Sequence, residues 1–110
     1  MLENTYTLEN GIKIPKLGLG TWFIDDSKVA EAVREAVKIG YRMIDTAQAY
    51  GNERGVGEGV RTCGIPREDL FVVSKVAAEH KTYEQAMAGM DETLKKMELY
   101  YQDFSRVFAF

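Results

Sequence analysis

Asp45, Tyr50 and Lys75 are the side chains of this sequence whose types and places suggest proton chemistry. Asp45 closes a short apolar run, Met43-Ile44, that reads as a buried strand stopping on a carboxylate. Tyr50 follows on the next loop, with Gly51 to turn the chain and Asn52-Glu53 to open a helix. Lys75 lies near the end of Leu70-Phe71-Val72-Val73-Ser74-Lys75-Val76, an apolar run of the kind covered on both faces. A lysine there is out of keeping unless it is paired or functional. An ammonium beside a phenol favours the phenolate, and at about 4 Å with an effective dielectric of about 20 the attraction is roughly 4 kcal/mol. A carboxylate next to the ammonium would orient it and weaken that field somewhat. A tyrosine so placed can donate a proton, as carbonyl reduction requires of its general acid. Each residue alone has a plainer reading: Asp45 as a loop cap or structural partner of Lys75, Tyr50 as packing, Lys75 as an edge lysine with a buried stem.

Convergence of the three depends on the elements between them. Thr5 to Leu8 and Ile12 to Pro15 flank Asn10-Gly11, a hairpin signal because both turn residues tolerate positive φ. Leu17 to Trp22 reads as a short buried strand in which Gly18 and Gly20 leave room for a backbone or ligand to approach. It is not a dinucleotide glycine loop, since Phe23 stands where that fingerprint wants a further glycine. Asp25, Asp26 and Ser27 offer caps for a helix from about Lys28 to Ile39, with Val29, Val33, Ala36 and Val37 as its apolar stripe and Gly40 as its stop. A second helix, Asn52 to Arg61, places Val56 and Val60 on one side. It contains Gly55, Gly57 and Gly59, each costing about 1 kcal/mol against alanine, so packing must sustain it. Gly64-Ile65-Pro66 breaks it. Thr82 and Gln85 form a capping box for a third helix to about Leu99, with Met87, Met90, Leu94 and Met97 expected on its inner, core-facing side. Tyr100 to Phe110 reads as a fourth strand.

This alternation predicts an α/β fold: a β-hairpin, then about three βα units and a closing strand, with right-handed crossovers and parallel pairing. Functional side chains on such sheets gather at the carboxyl ends of the strands. Asp45 and Lys75 fall at those ends on successive strands, and Tyr50 lies on the loop leaving the same edge.

A chain of 110 residues suits one domain, expected to span residues 1–110. The net charge of −3 gives no basic footprint for nucleic acid. No apolar run approaches the roughly 18 residues of a membrane span, and the N-terminus lacks the regions of a signal peptide. Cys63 is the single cysteine, so no internal disulfide is expected; a cytoplasmic location follows, and no metal site is expected.

The segment Gly40-Tyr41-Arg42, then Ile44-Asp45-Thr46-Ala47, then Tyr50-Gly51-Asn52-Glu53 resembles the signature of the aldo-keto reductase family, with Met43 at a place where smaller or polar residues are usual. Leu8 to Trp22 is similar to that family's opening hairpin and first barrel strand, and Phe71 to Val76 to the strand carrying its catalytic lysine. The bacterial branch that includes diketogluconate reductases is the nearest in flavour. The resemblance implies a partial (β/α)₈ TIM barrel and hydride transfer from NADPH to an aldehyde or ketone. By it Tyr50 is the proton donor, Lys75 tunes it, and Asp45 holds Lys75. Gly20, Thr21, Trp22 and Asp45 would line the nicotinamide and substrate pocket.

The final stretch departs from the family pattern. Phe108 stands where a catalytic histidine is expected, and Arg106 brings a charge into a normally apolar strand. His80, in the loop after Lys75, is no substitute. A complete barrel of this type takes about 250 residues, and most phosphate and adenosine contacts belong to its later loops. The resemblance therefore implies a truncated reductase domain with weak NADPH affinity and little or no activity. Four strands with three helices leave one sheet face and both edges to cover, which favours a homodimer or higher oligomer. The alternative reading is a non-enzymatic, self-assembling or interaction module derived from the reductase barrel.

Overall fold

The computed structural model describes residues 5–7, 9, 11, 13–76, 82–99 and 104–107, with only the backbone given for Val76 and for 104–107. Leu8, Asn10, Ile12, His80, the stretch 100–103 and Phe108, all invoked above, lie outside the described residues. Strands β1 (Thr5–Thr7) and β2 (Lys13–Pro15) form the expected antiparallel hairpin, Tyr6 opposite Ile14. A separate four-stranded sheet contains β3 (Leu19–Gly20), β4 (Met43–Asp45), β5 (Phe71–Val76) and β6 (Phe104–Val107), in that spatial order and all parallel. Spatial order equals chain order, so each strand lies beside its predecessor, as in a barrel wall; a doubly wound sheet would reverse direction partway.

Helices α1 (Val29–Ile39), α2 (Glu53–Thr62) and α3 (Tyr83–Met97) bridge successive strands. Strand residues alternate between faces. Ile44 and Val72 join the helices' Val29, Val33, Val37, Val56, Val60 and Met97 in one buried cluster, while Met43, Asp45, Val73 and Lys75 point to the opposite, partly exposed face. The apolar stripe of α1 is buried as its spacing demands, and Gly40 ends the helix at φ 122°. The capping box of α3 is formed, with Gln85 N donating to Thr82 Oγ1 at 3.1 Å.

Three expectations are corrected. None of Asp25, Asp26 or Ser27 caps α1 through its side chain; instead Asp26 Oδ1 accepts from Gly55 N at 2.8 Å, capping α2 from across the structure. The strand expected over Leu17 to Trp22 shrinks to Leu19–Gly20, because Ile24 N donates to Thr21 O and folds Trp22-Phe23 into a turn. The inner face of α3 is Gly89, Thr93 and Met97, whereas Met87 is 41% exposed and Met90 and Leu94 are half-buried. Small residues face inward there because Gln48 reaches in to donate to Gly89 O at 2.7 Å and Thr93 Oγ1 at 3.0 Å.

The glycines of α2 let its neighbours approach. A Cβ at Gly55 or Gly59 would run into Val29 or Val33 of α1, and one at Gly57 would fall on the Met97 backbone at the end of α3. Gly57→Ala gains about 1 kcal/mol of helix propensity but forces two backbones apart, and overpacking of this kind costs about 1–3 kcal/mol or more. Because the obstacle is main chain, the clash should win. Urea denaturation is expected to show Gly57→Ala less stable than wild type by about 1–2 kcal/mol; equal or greater stability would show that α3 yields freely.

Candidate active site

The carboxyl ends of β3, β4 and β5 share one edge of the sheet, and the three sequence-predicted residues meet there. Register brings this about: Gly20 lies opposite Asp45, and Asp45 opposite Val73, two residues before Lys75. Past its last strand residue β4 stays in step, with Thr46 N donating to Val73 O at 2.8 Å. Lys75 Nζ then lies 2.5 Å from Asp45 Oδ1, 2.9 Å from Thr46 O and 3.4 Å from Tyr50 Oη. The ammonium is also 5.1 Å from the centre of the Tyr50 ring. Tyr50 comes from a 3-10 turn, Gln48–Tyr50, closed by Gly51 at φ 69°. Lys75 is largely buried and Asp45 about a third exposed, so the pair sits at the floor of the edge and not on open surface.

The residues expected to line a cofactor divide. Gly20 is exposed, and a Cβ placed on it would meet nothing within 4 Å. Trp22 is 65% exposed and stacks on Phe23, ring centres 4.3 Å apart. Thr21, by contrast, is fully buried, with its hydroxyl donating to Asp45 O at 3.0 Å and its N–H to the same oxygen at 3.1 Å. Its side chain braces Asp45 from below. Beside Tyr50 opens a cleft of about 300 Å³, lined also by Phe23, Ile24, Asp25, Asp26 and Gly51.

Several further residues tie this edge together. Asn52 holds the N-cap position expected of it, but its side chain makes no capping bond; it is fully buried and bonds Thr21 O, Ile24 O and Thr46 Oγ1. Glu53 is buried and accepts from Ser74 Oγ at 2.6 Å, tying α2 to β5 one residue before Lys75. Gln48 ties the Tyr50 turn to α3. The run Tyr50-Gly51-Asn52-Glu53 was the available signal, since two polar residues at a helix start also suit a buried network. Among the described residues no group of three or more His, Cys, Asp or Glu side chains could hold a metal, and no helix is long and apolar enough to cross a membrane.

A parallel, sequentially ordered β/α wall with a Tyr-Lys-Asp cluster at its carboxyl edge has the arrangement of a segment of an α/β barrel. Comparison with known proteins makes that class specific. The sequence model of the "Aldo/keto reductase family" matches residues 16–106, and the chain belongs to that family. It is 45% identical over 101 residues to the 9,11-endoperoxide prostaglandin H2 reductase of Trypanosoma cruzi (strain CL Brener), a match covering 91% of this chain and 36% of that protein. It is 43% identical over 103 residues to the glyoxal reductase of Bacillus subtilis (strain 168), covering 93% and 37%. The crystal structure of an aldo/keto reductase from Brucella melitensis superposes with a TM-score of 0.90 at 41% identity, covering 94% of this chain and 40% of that one. The chain thus spans well under half the length of these relatives, and its four parallel strands form an open part of a TIM-barrel wall.

Electrostatics fix the loop that overhangs the cleft. Burial pushes the Asp26 carboxyl up, but hydrogen bonds from Arg54 and Gly55 N–H and the Arg54 charge outweigh it and hold Asp26 below its ordinary value. Arg54 Nε donates to Asp26 Oδ2 at 2.7 Å. A lowered folded-state value means the stabilisation is full above the unfolded carboxylate range, near pH 4, and is lost as pH falls through the folded value. Asp26→Ala removes the α2 cap and should cost about 1 kcal/mol. Thermal melts are expected to show a gap between wild type and Asp26→Ala that is constant above about pH 5 and closes as the pH drops below about 4. A gap that persists at low pH would contradict this assignment.

Proposed function

We propose that this chain carries the reacting edge of an NAD(P)H-dependent aldo/keto reductase, an N-terminal part of that family's domain, acting on small aldehydes or ketones. The observation that supports it most is the placement of Lys75 Nζ within hydrogen-bonding reach of both Asp45 Oδ1 and Tyr50 Oη. In this reading Tyr50 donates its proton to the carbonyl oxygen as hydride adds to the carbonyl carbon, giving the alcohol. Negative charge left on Tyr50 Oη is held by the Lys75 ammonium, and solvent returns the proton. Asp45 and Thr46 O fix the ammonium, so no reorganisation is needed as charge develops. The cofactor, NADPH by family kinship, supplies the hydride when bound. Gly20 and Trp22 would face its nicotinamide, with Thr21 and Asp45 supporting that wall from beneath.

Phe108 occupies the sequence position of the family's histidine and has no N–H to offer a substrate oxygen. Loss of one such donor costs about 10²–10³ in rate, so turnover should be low. With NADPH and short aldehydes such as glyoxal and glyceraldehyde, wild type is expected to turn over slowly and Tyr50→Phe not detectably. Lys75→Met should lose about 10²-fold or more, and Phe108→His should gain about tenfold or more. Turnover typical of a complete reductase in the wild-type chain would refute the proposed deficit.

A second reading is favoured by the sheet itself: a non-enzymatic self-assembling module. The face bearing Met43 and Val73 is partly exposed, and β3 and β6 each pair on one side only among the described residues. We propose that the 110 residues on their own associate as homodimers or larger assemblies through this face, in the cytoplasm that the single Cys63 suits. Light scattering behind size exclusion should give a mass of at least twice 12.4 kDa; a sharp, cooperatively melting 12.4 kDa monomer would overturn that. Trp22 separates the two readings. Saturable quenching by NADPH in the micromolar range supports the reductase, and a flat titration supports the module.

A further inference from the structure

Asn52 joins two loops that the chemistry needs in fixed relation. Its Nδ2 donates to Thr21 O at 2.8 Å and to Ile24 O at 3.0 Å, and its Oδ1 accepts from Thr46 Oγ1 at 2.8 Å. The two carbonyls bracket the turn whose corner residues are Trp22 and Phe23, closed by Ile24 N donating to Thr21 O at 3.1 Å. Phe23 sits there at φ 68°, a left-handed conformation that residues with a Cβ avoid unless their surroundings impose it. On the other side, the Thr46 carbonyl is one of the acceptors holding Lys75 Nζ. One fully buried amide therefore touches both the turn carrying the exposed aromatic stack and the residue whose main chain holds the ammonium.

The chemistry of the side chain fits this task. A primary amide offers two hydrogens and an acceptor oxygen, and here both hydrogens meet carbonyls while the oxygen meets a hydroxyl. An asparagine before a helix ordinarily spends its oxygen on the helix's own N–H groups. Asp26 performs that service for α2 instead, which leaves Asn52 free to face the loops.

We propose that Asn52 is a positioning residue of the reductase site: it sets the Trp22-Phe23 wall against Lys75 and Tyr50 and holds Phe23 in its left-handed conformation. The inference rests on reading Asp45, Tyr50 and Lys75 as the reacting groups and Trp22 as the wall. A merely structural Asn52 would cost stability on removal without changing the setting of Trp22 in the protein that remains folded.

Trp22 is the chain's single tryptophan, so its near-ultraviolet circular dichroism and fluorescence report on the turn directly. The full chain would be compared as wild type, Asn52→Ala, Asn52→Asp, Thr46→Val and Val60→Ala, first without cofactor and then titrated with NADPH. Asn52→Asp keeps the acceptor for Thr46 but sets an oxygen against the two carbonyls. Thr46→Val keeps both bonds to the turn, and Val60→Ala weakens the helix core elsewhere. Asn52→Ala and Asn52→Asp are expected to lose about half or more of the Trp22 dichroism and to bind NADPH roughly tenfold more weakly; Thr46→Val and Val60→Ala keep the dichroism. Unchanged Trp22 dichroism in folded Asn52 variants, or equal loss in Val60→Ala, overturns the proposal. If the Asn52 variants shift the dichroism while no protein binds NADPH, the turn-setting role stands and the reductase reading fails. Should both Asn52 variants not fold, wild-type NMR decides. The Asn52 side-chain amide hydrogens must exchange with solvent about tenfold or more slower than a free amide, and fast exchange overturns the proposal.

Discussion

The structure turns on the need to satisfy one ammonium at the end of a buried parallel strand. Lys75 sits in β5, whose other described side chains are apolar or, like Ser74, small, and only a minor part of its side chain meets solvent. A charge so placed is costly unless paired and hydrogen-bonded. Its acceptors come from the neighbouring strand and the turn after it: Asp45 Oδ1, Thr46 O and Tyr50 Oη. A slip of one residue between β4 and β5 would turn Asp45 to the helix face and leave the ammonium unpaired, since strand side chains alternate. The register, with Ile44 opposite Val72 and Asp45 opposite Val73, thus serves the core on one face and the charge pair on the other.

The helix layer serves the same end by staying thin. Successive βα units bring their helices close on one face, and α2 is the middle one. With glycine at 55, 57 and 59 it lies almost in backbone contact with α1 and with the end of α3. Arg61 adds a bond to Met97 O at 3.2 Å and an ion pair with Glu98 at 3.0 Å. Close packing fixes where α2 begins, and its beginning carries Asn52 and Glu53 into the polar layer under the site. A helix weak in intrinsic propensity is in this way held more tightly in position than a stronger, bulkier one would be.

Much of this is legible in the sequence. The strand Met43–Asp45, the stop at Gly40, the stripe of α1 and the capping box of α3 follow from local rules, and each is found where those rules put it. Lys75 was legible because a charge in an apolar run demands an explanation. What escaped involves partners distant in sequence. Asp26 stands directly before α1 and looks like its cap, yet it caps α2, 29 residues on, because the loop crosses that helix's N-terminus. The methionines of α3 have helical spacing, but the inner face is decided by Gln48 reaching in and by the approach of α2, which favour Gly89 and Thr93. Thr21 reads as a pocket residue by its neighbours, and only the pairing of β3 with β4 shows its hydroxyl committed to Asp45 O.

A neutral amide at position 52 is the choice that the charges nearby permit. The edge of the sheet already holds Asp45 and Lys75 in contact, with Glu53 buried against Ser74 on the helix side beneath. A carboxylate at 52 would bring a second acidic group into the buried layer that already holds Glu53. It would also face two carbonyl oxygens with no hydrogen to offer. A lysine or arginine there would leave Thr46 Oγ1 without its acceptor. Asparagine satisfies two acceptors and one donor in a fully buried place while adding no net charge. Asp45 and Lys75 thus face the partly open edge where a reaction can use them, and the uncharged hydrogen bonds of Asn52 fix the loops below without adding a charge of their own.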